Sequence, residues 1–276
     1  MKHLSIILIF LLPLFWLSAC KVEVNEIDYN PNVFSSKDYI RGEDAIFEVV
    51  NSFFKGIQDT MVINYGYGYI DACDVSYYSS ENLITFGYGT VNRMCQDSKF
   101  RRGTFYANFS GQVFEEGVTA NIITDSLFVD DALIEMSLEI KNSGYNNNNL
   151  PEYSLKVTSS MIRLPDSTKV NGVSIFSDFN MVLAEGSATP TIHEDDIFLI
   201  TGSASGVSCD GFDFLINVQD PLVNYVDCNW ISEGFSQITV PSGKFPMGEI
   251  DYILDDGCFN EMHFYFNENF FYDFIK

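Results

Sequence analysis

The strongest restriction on how this chain folds is a hydrophobic period of two that returns along most of its length. Phe105, Ala107 and Phe109 alternate with Tyr106 and Asn108. Ile134, Met136, Leu138 and Ile140 oppose Glu135, Ser137, Glu139 and Lys141. Val173, Ile175, Phe179, Met181 and Leu183 share a face, as do Phe212, Phe214, Ile216 and Val218. Alternation of this kind marks antiparallel strands with one dry face and one wet face. Turn signals divide the runs: Gly111, Glu116-Gly117, residues 142–151, Asn171-Gly172, residues 202–206, Ser242-Gly243 and Asp256-Gly257. About ten strands with few crossovers make a meander, and a sheet that long curls or closes rather than leave a flat, splayed edge. The expected fold is therefore mainly all-β: a strongly curved antiparallel meander, half-barrel or two-sheet sandwich. No linker composition divides it, so residues 41–276 read as one domain.

One segment has a different period. Over residues 42–60, Ile46, Val49, Val50, Phe53, Phe54 and Ile57 recur at the three-and-four spacing of a helix face. Asp44 is the expected cap and Gly56 the expected weak point near the end. Lys55 is the one lysine of the segment, too few for a helix lying on a membrane surface. An N-terminal amphipathic helix packed on the sheet is the reading.

The first nineteen residues have the parts of an export signal. Lys2 starts it, residues 6–17 are apolar apart from Pro13, and Ser18 and Ala19 are small. The apolar run falls short of the roughly 20 residues an ordinary spanning helix needs. Leu17-Ser18-Ala19-Cys20 resembles the lipobox of bacterial lipoproteins. That resemblance implies cleavage before Cys20 and a diacylglyceryl group on its thiol. Acyl chains then hold the protein at a lipid bilayer, each buried CH₂ contributing about 0.8 kcal/mol. The alternative is a plain signal peptide with a chance cysteine. Lys21 in place of aspartate implies, by the same resemblance, the outer rather than the inner membrane, facing outward or toward the periplasm. Residues 20–40 read as acylated cysteine plus flexible tether, with Glu23, Glu26 and Asp28 as solvated acids or a surface-export signal.

Composition narrows the partners. The formal net charge is −23, with 38 acidic against 15 basic residues, so nucleic acid and anionic headgroups are repelled. A content of 46% hydrophobic and 15% aromatic residues is ample for a core, which argues against disorder. Besides Cys20 there are Cys73, Cys95, Cys209, Cys228 and Cys258. An exported chain meets an oxidising compartment, so disulfides are expected, Cys73 with Cys95 and Cys228 with Cys258, leaving Cys209 buried. No CxxC spacing is present, and zinc is not expected.

Two stretches carry a second resemblance. Residues 72–103 read ACDVSYYSSENLITFGYGTVNRMCQDSKFRRG, and residues 250–258 read IDYILDDGC with Cys228 upstream. The pattern resembles a family of uncharacterised bacterial lipoproteins with an early helix, a Cys…Phe-Gly…Cys…Asp…Arg-x-Gly block and a closing Cys…Asp-Tyr…Gly…Cys block. The matching positions are Cys73, Phe86, Gly87, Cys95, Asp97, Arg101 or Arg102, Gly103, Cys228, Tyr252, Gly257 and Cys258. The closing block departs from it at Phe259, where the family often has aspartate. The resemblance implies stapled strand ends and bends at Gly87 and Gly103, and no activity.

Catalytic motifs are missing from the sequence. Residues 202–206 (GSASG) have alanine where a nucleophile elbow needs serine. Gly66-Tyr67-Gly68 and Gly87-Tyr88-Gly89 do not lead into helices, so phosphate cradling is not expected. His193-Glu194-Asp195-Asp196 reads as a solvated acidic turn and His263 as a strand residue. Asp130-Asp131, Asp195-Asp196 and Asp255-Asp256 are isolated pairs without a calcium-loop spacing. No metal or cofactor is implied. Tyr65, Tyr67, Tyr69, Tyr77, Tyr78 and Trp230 are the candidates for stacking on sugar rings. The functional expectation is a lipid-anchored, non-catalytic envelope protein that binds or scaffolds, with a glycan or an envelope protein as partner. The alternatives are a carrier of a lipid or hydrophobic ligand in a half-barrel, and a glycan hydrolase with two of the carboxylates at its centre.

Overall fold

The computed structural model describes residues 30–165, 172–228, 230–253, 258, 261–267 and 270–275. Two helices come first, α1 (Pro31–Gln58) and α2 (Thr60–Tyr65). Fourteen strands follow: β1 (Tyr67–Ile70), β2 (Cys73–Tyr78), β3 (Leu83–Met94), β4 (Phe100–Phe109), β5 (Thr119–Val129), β6 (Ala132–Tyr145), β7 (Pro151–Arg163), β8 (Ser174–Glu185), β9 (Ile197–Val207), β10 (Asp213–Tyr225), β11 (Glu233–Thr239), β12 (Met247–Tyr252), β13 (Glu261–Asn267) and β14 (Phe270–Ile275). They form one antiparallel sheet in sequence order, each strand paired with its neighbours in the chain. No ladder joins β1 to β14 among the described residues. The sheet is thus an open meander, and the alternating runs lie in it as expected: Ile134, Met136, Leu138 and Ile140 are all buried.

The sheet curls around α1. Phe54 packs on Phe198 of β9 and Tyr153 of β7, with ring centroids 4.8 and 5.2 Å away. Phe53 stacks on Phe109 of β4, and Tyr39 meets Phe214 of β10 edge-on. Gly42 lies against Ile175 of β8 and Gly56 against the Phe86 ring of β3, each so close that a methyl group would collide. A single helix is touched from β3 through β12 only if the sheet wraps it. Register shifts between β3 and β4, β4 and β5, β5 and β6, and β6 and β7 supply the bends. At one of them Gly103, at φ +96°, lies against the backbone of Ser126 with no room for a Cβ.

The helix differs from its expected form in two ways. It begins at Pro31, not at residue 42, so residues 31–40 are helix and not tether. Asn30 caps it by accepting from the Asn32 N–H, and Pro31 fills the first position, where no N–H is needed. It is also enclosed on nearly all sides, with 19 of its 28 residues buried. Its polar residues hid this from the amphipathic pattern. Each of several finds a partner in the wall: the Asn32 carboxamide accepts from the Phe245 N–H (3.0 Å) and donates to the Phe245 carbonyl (2.5 Å). Asp38 accepts from the Cys209 N–H (2.8 Å). Glu43 accepts from the hydroxyls of Tyr39 (2.6 Å) and Tyr252 (2.8 Å). Asp59 ends α1 and caps α2, accepting from the N–H groups of Met61 and Val62.

Residues 202–206 also depart from expectation. They lie inside β9 rather than in a turn. Gly202 sits at φ +123° against the backbone of β8, and Gly206 leaves room for the Phe214 ring. Glycine there marks close approach of neighbouring chains, the other use of the residue.

Candidate functional site

Three of the positions singled out by the family resemblance, Cys95, Asp97 and Arg101, meet at one corner; Tyr252 bonds Glu43 and Cys228 pairs with Cys258 elsewhere. Arg101, at the start of β4, is buried, and its guanidinium pairs with Glu48 of α1 and bonds Asp97 (2.8 Å from Nη1). Lys99 reaches the other Glu48 oxygen at 3.1 Å. Burial alone would raise the Glu48 carboxyl, but Lys99 and Arg101 outweigh it and hold the group below its usual range. Asp97 behaves alike: burial opposes, and the Arg101 hydrogen bonds and charge prevail. Asp71, Cys95 and Asp97 bring one donor atom each within 4.8 Å of one another. Arg101 stands where a cation would be needed, with Nη1 3.8 Å from Asp71. Burial raises the Cys95 thiol, which keeps it protonated and a poor metal ligand. The corner is an internal ion cluster that ties β4 to the helix.

The cysteines divide. Cys228 and Cys258 form a disulfide that spans 30 positions of sequence. Cys73 and Cys95 are not joined, against expectation; both are buried free thiols, and Cys209 is buried. Each thiol faces a carbonyl instead, Cys73 that of Asp74 and Cys95 that of Arg93. Cys20, the expected lipidation site, and Gly257 lie outside the described residues.

The aromatic candidates for sugar stacking are dispersed. Tyr65, Tyr67, Tyr69 and Tyr78 are exposed. Tyr67 and Tyr69 flank the buried Gly68, which places them on the outer face of the first hairpin, not on the concave side. Tyr77 packs against the core, and Trp230 is half-buried. Asp196 is buried rather than solvated: it accepts from the Gln58 amide at 2.7 Å, and burial pushes its carboxyl up to about 6.

A cleft of about 680 Å³ opens at the C-terminal end of α1. Its walls come from Gln58, from Asn64 of α2, from Phe114 and Glu116 in the β4–β5 connection, from Asn142 and Tyr145 at the end of β6, from Tyr153 of β7, and from Ser187 and Thr191 after β8. Beneath it, between Phe53, Phe54, Phe109 and Ile140, lies a cavity of about 30 Å³ that shares Ile57, Phe114, Asn142 and Tyr153 with the cleft. The cleft is within the size range of small-molecule sites, about 300–1,000 Å³. The cavity below holds about one water.

Two of its walls are built with care. Phe114 is 53% exposed and sits at φ +76°, a left-handed backbone that a bulky side chain adopts only under constraint. Asn142 holds it there by donating from Nδ2 to the Phe114 carbonyl (2.9 Å). The same side chain accepts from the Gly144 N–H (2.9 Å), fixing the bulge before Tyr145, which is 69% exposed. Gly144, at φ +86°, leaves the space in which the Glu116 carboxylate lies. The residue run at positions 146–149 closes the adjacent turn, Asn146 accepting from the N–H groups of Asn148 and Leu150. Neither Phe114 nor Tyr145 is marked by sequence pattern, since the cleft joins segments far apart in the chain.

Compared with known proteins, the chain matches no family model, no curated sequence and no solved structure.

Proposed function

We propose that the chain is a lipid-anchored protein of the bacterial outer membrane, held through acylated Cys20 and facing outward, with a non-catalytic binding role. The observation that carries the anchor is the run Leu17-Ser18-Ala19-Cys20 directly after an apolar signal. The position of the folded body fits it. Asn30 caps the first helix, so nine residues, 21–29, separate Cys20 from the domain, a reach of at most about 35 Å when extended. The body is held near the bilayer rather than on a long stalk.

The cleft supports binding as the role. A carrier of hydrophobic ligands needs an empty apolar trough, and among the described residues α1, with 19 of its 28 residues buried, occupies the concave side of the sheet. A glycosidase of the usual kind needs two facing carboxylates. Glu116 is the one charged side chain among the described residues lining the cleft. Radiolabelled palmitate tests the anchor: label should enter the parent and not Cys20→Ala, and the variant should leave the membrane fraction. Protease shaving of intact cells should release peptides of the β body. An unlabelled parent, or a Cys20→Ala chain that stays membrane-bound, sinks the anchor.

A further inference from the structure

The lining of the cleft narrows what it takes. On a chain of charge −23, with 38 acidic residues, the described residues lining the cleft include one carboxylate and no lysine or arginine. An anionic ligand would meet Glu116 with nothing to neutralise it, which argues against phosphates, acidic peptides and anionic lipid headgroups. A divalent cation needs several oxygens around it, and a single carboxylate among amides is a weak start. A lipid tail would leave Asn64 and Thr191 facing hydrocarbon, at a cost for each amide or hydroxyl so covered.

What remains matched is an uncharged ligand with many hydroxyls and some apolar faces. Carboxamides and hydroxyls offer donors and acceptors together, as a sugar's hydroxyls require. Exposed aromatic faces carry negative charge density that attracts the C–H face of a sugar ring. Phe114 and Tyr145 are the two most exposed rings on the rim, and one Asn142 side chain positions the backbone beneath both. Phe114 is held in a left-handed backbone that bulky residues rarely adopt, and its ring stands exposed at the cleft instead of in the core.

We propose that this cleft binds a short neutral oligosaccharide, with Phe114 and Tyr145 as the stacking surfaces and Glu116, Asn64 and Thr191 among its hydrogen-bonding groups. The proposal deepens the binding role above and rests on it. It does not depend on the anchor.

The test is calorimetric titration of the full mature chain in detergent with cellobiose, maltotriose, chitobiose and laminaribiose, and with digalacturonate as the anionic comparison. At least one neutral sugar should bind more tightly than digalacturonate. Phe114→Gly and Tyr145→Ala should each weaken that binding about tenfold or more, and Tyr145→Phe should retain it. Phe114→Gly should melt at or above the parent temperature, because glycine adopts the left-handed backbone freely, so lost binding there is not lost folding. No heat from any neutral sugar at about 10 mM, stronger binding of digalacturonate, or parent-like binding by both ring variants overturns the proposal. Palmitate labelling of Cys20 is read separately, so a failed titration rejects the ligand class and leaves the anchor standing.

Discussion

Asn51, in the second half of α1, and Asn224 on β10 grip each other by both ends of their carboxamides. The Asn224 amide donates to Asn51 at 2.7 Å and the Asn51 amide donates back at 3.3 Å. Both side chains are buried. The pair fixes the rotation of the helix inside the sheet, because a turn of α1 in either direction would leave two amides unsatisfied in a dry interior.

Asn51→Leu should therefore destabilise the protein by about 1–3 kcal/mol, mostly through the orphaned Asn224. Asn51→Leu combined with Asn224→Leu should lose less than the two single changes added together. Urea unfolding of the four proteins measures it; strictly additive losses would show that the amides are not coupled.

The Glu48–Arg101 cluster gives a larger effect. Arg101→Leu leaves the Glu48 carboxylate buried with Lys99 alone, and a loss of roughly 3–5 kcal/mol is expected. Glu48→Leu with Arg101→Leu should recover part of it. The folded carboxyls of Glu48 and Asp97 lie below their ordinary range. Their contribution is present above the unfolded value, near pH 4, and is lost as pH falls through the folded one. Thermal melts from pH 7 to pH 2 should show a steep loss below about pH 4, and a flatter acid limb in the double variant.

Asp196 works in the opposite sense. Its folded carboxyl is raised to about 6, so the folded state favours the protonated form. Below the unfolded value, near pH 4, the group costs nothing; stability falls as pH rises from about 4 through 6. Asp196→Asn, with the Gln58 contact available to the new amide, should raise the melting temperature at pH 7.5 and leave it nearly unchanged at pH 4. A gain of similar size at both pH values would mean that the charge is not the cause.

The thiols can be counted. Cys73 and Cys95 are free thiols, both buried like Cys209, and burial pushes the Cys73 thiol up to about 12. The folded protein should resist an aromatic disulfide reagent such as DTNB, since thiolate is the reacting form. Unfolding without reductant should expose Cys73 and Cys95 to the reagent, and a Cys20→Ala chain should give one reactive thiol fewer only if Cys20 carries no lipid in the parent. Rapid reaction in the folded state would show that the Cys73 corner opens.

Much of the fold was legible because water touches one face of it. Ile134, Met136, Leu138 and Ile140 alternate with polar neighbours for that reason alone. The start of α1 was not legible. Asn32, Asp38 and Glu43 look like surface residues until the strands that satisfy them are in place, more than 170 positions later. The cleft was hidden by the same distance. Gln58, Phe114, Tyr145 and Ser187 carry no shared spacing, and Phe114 is notable only through a backbone angle that sequence does not display.

The enclosed helix also sets an order of events. Synthesis delivers the amino-terminal spindle before any of the fabric that winds around it, and each later strand needs only the preceding one for its ladder. A chain cut short at its carboxyl end still has something to wind upon. A chain missing residues 31–58 has fourteen ribbons and a hollow lined with Phe86, Phe198 and Phe214, which makes the opposite truncation the one that aggregates.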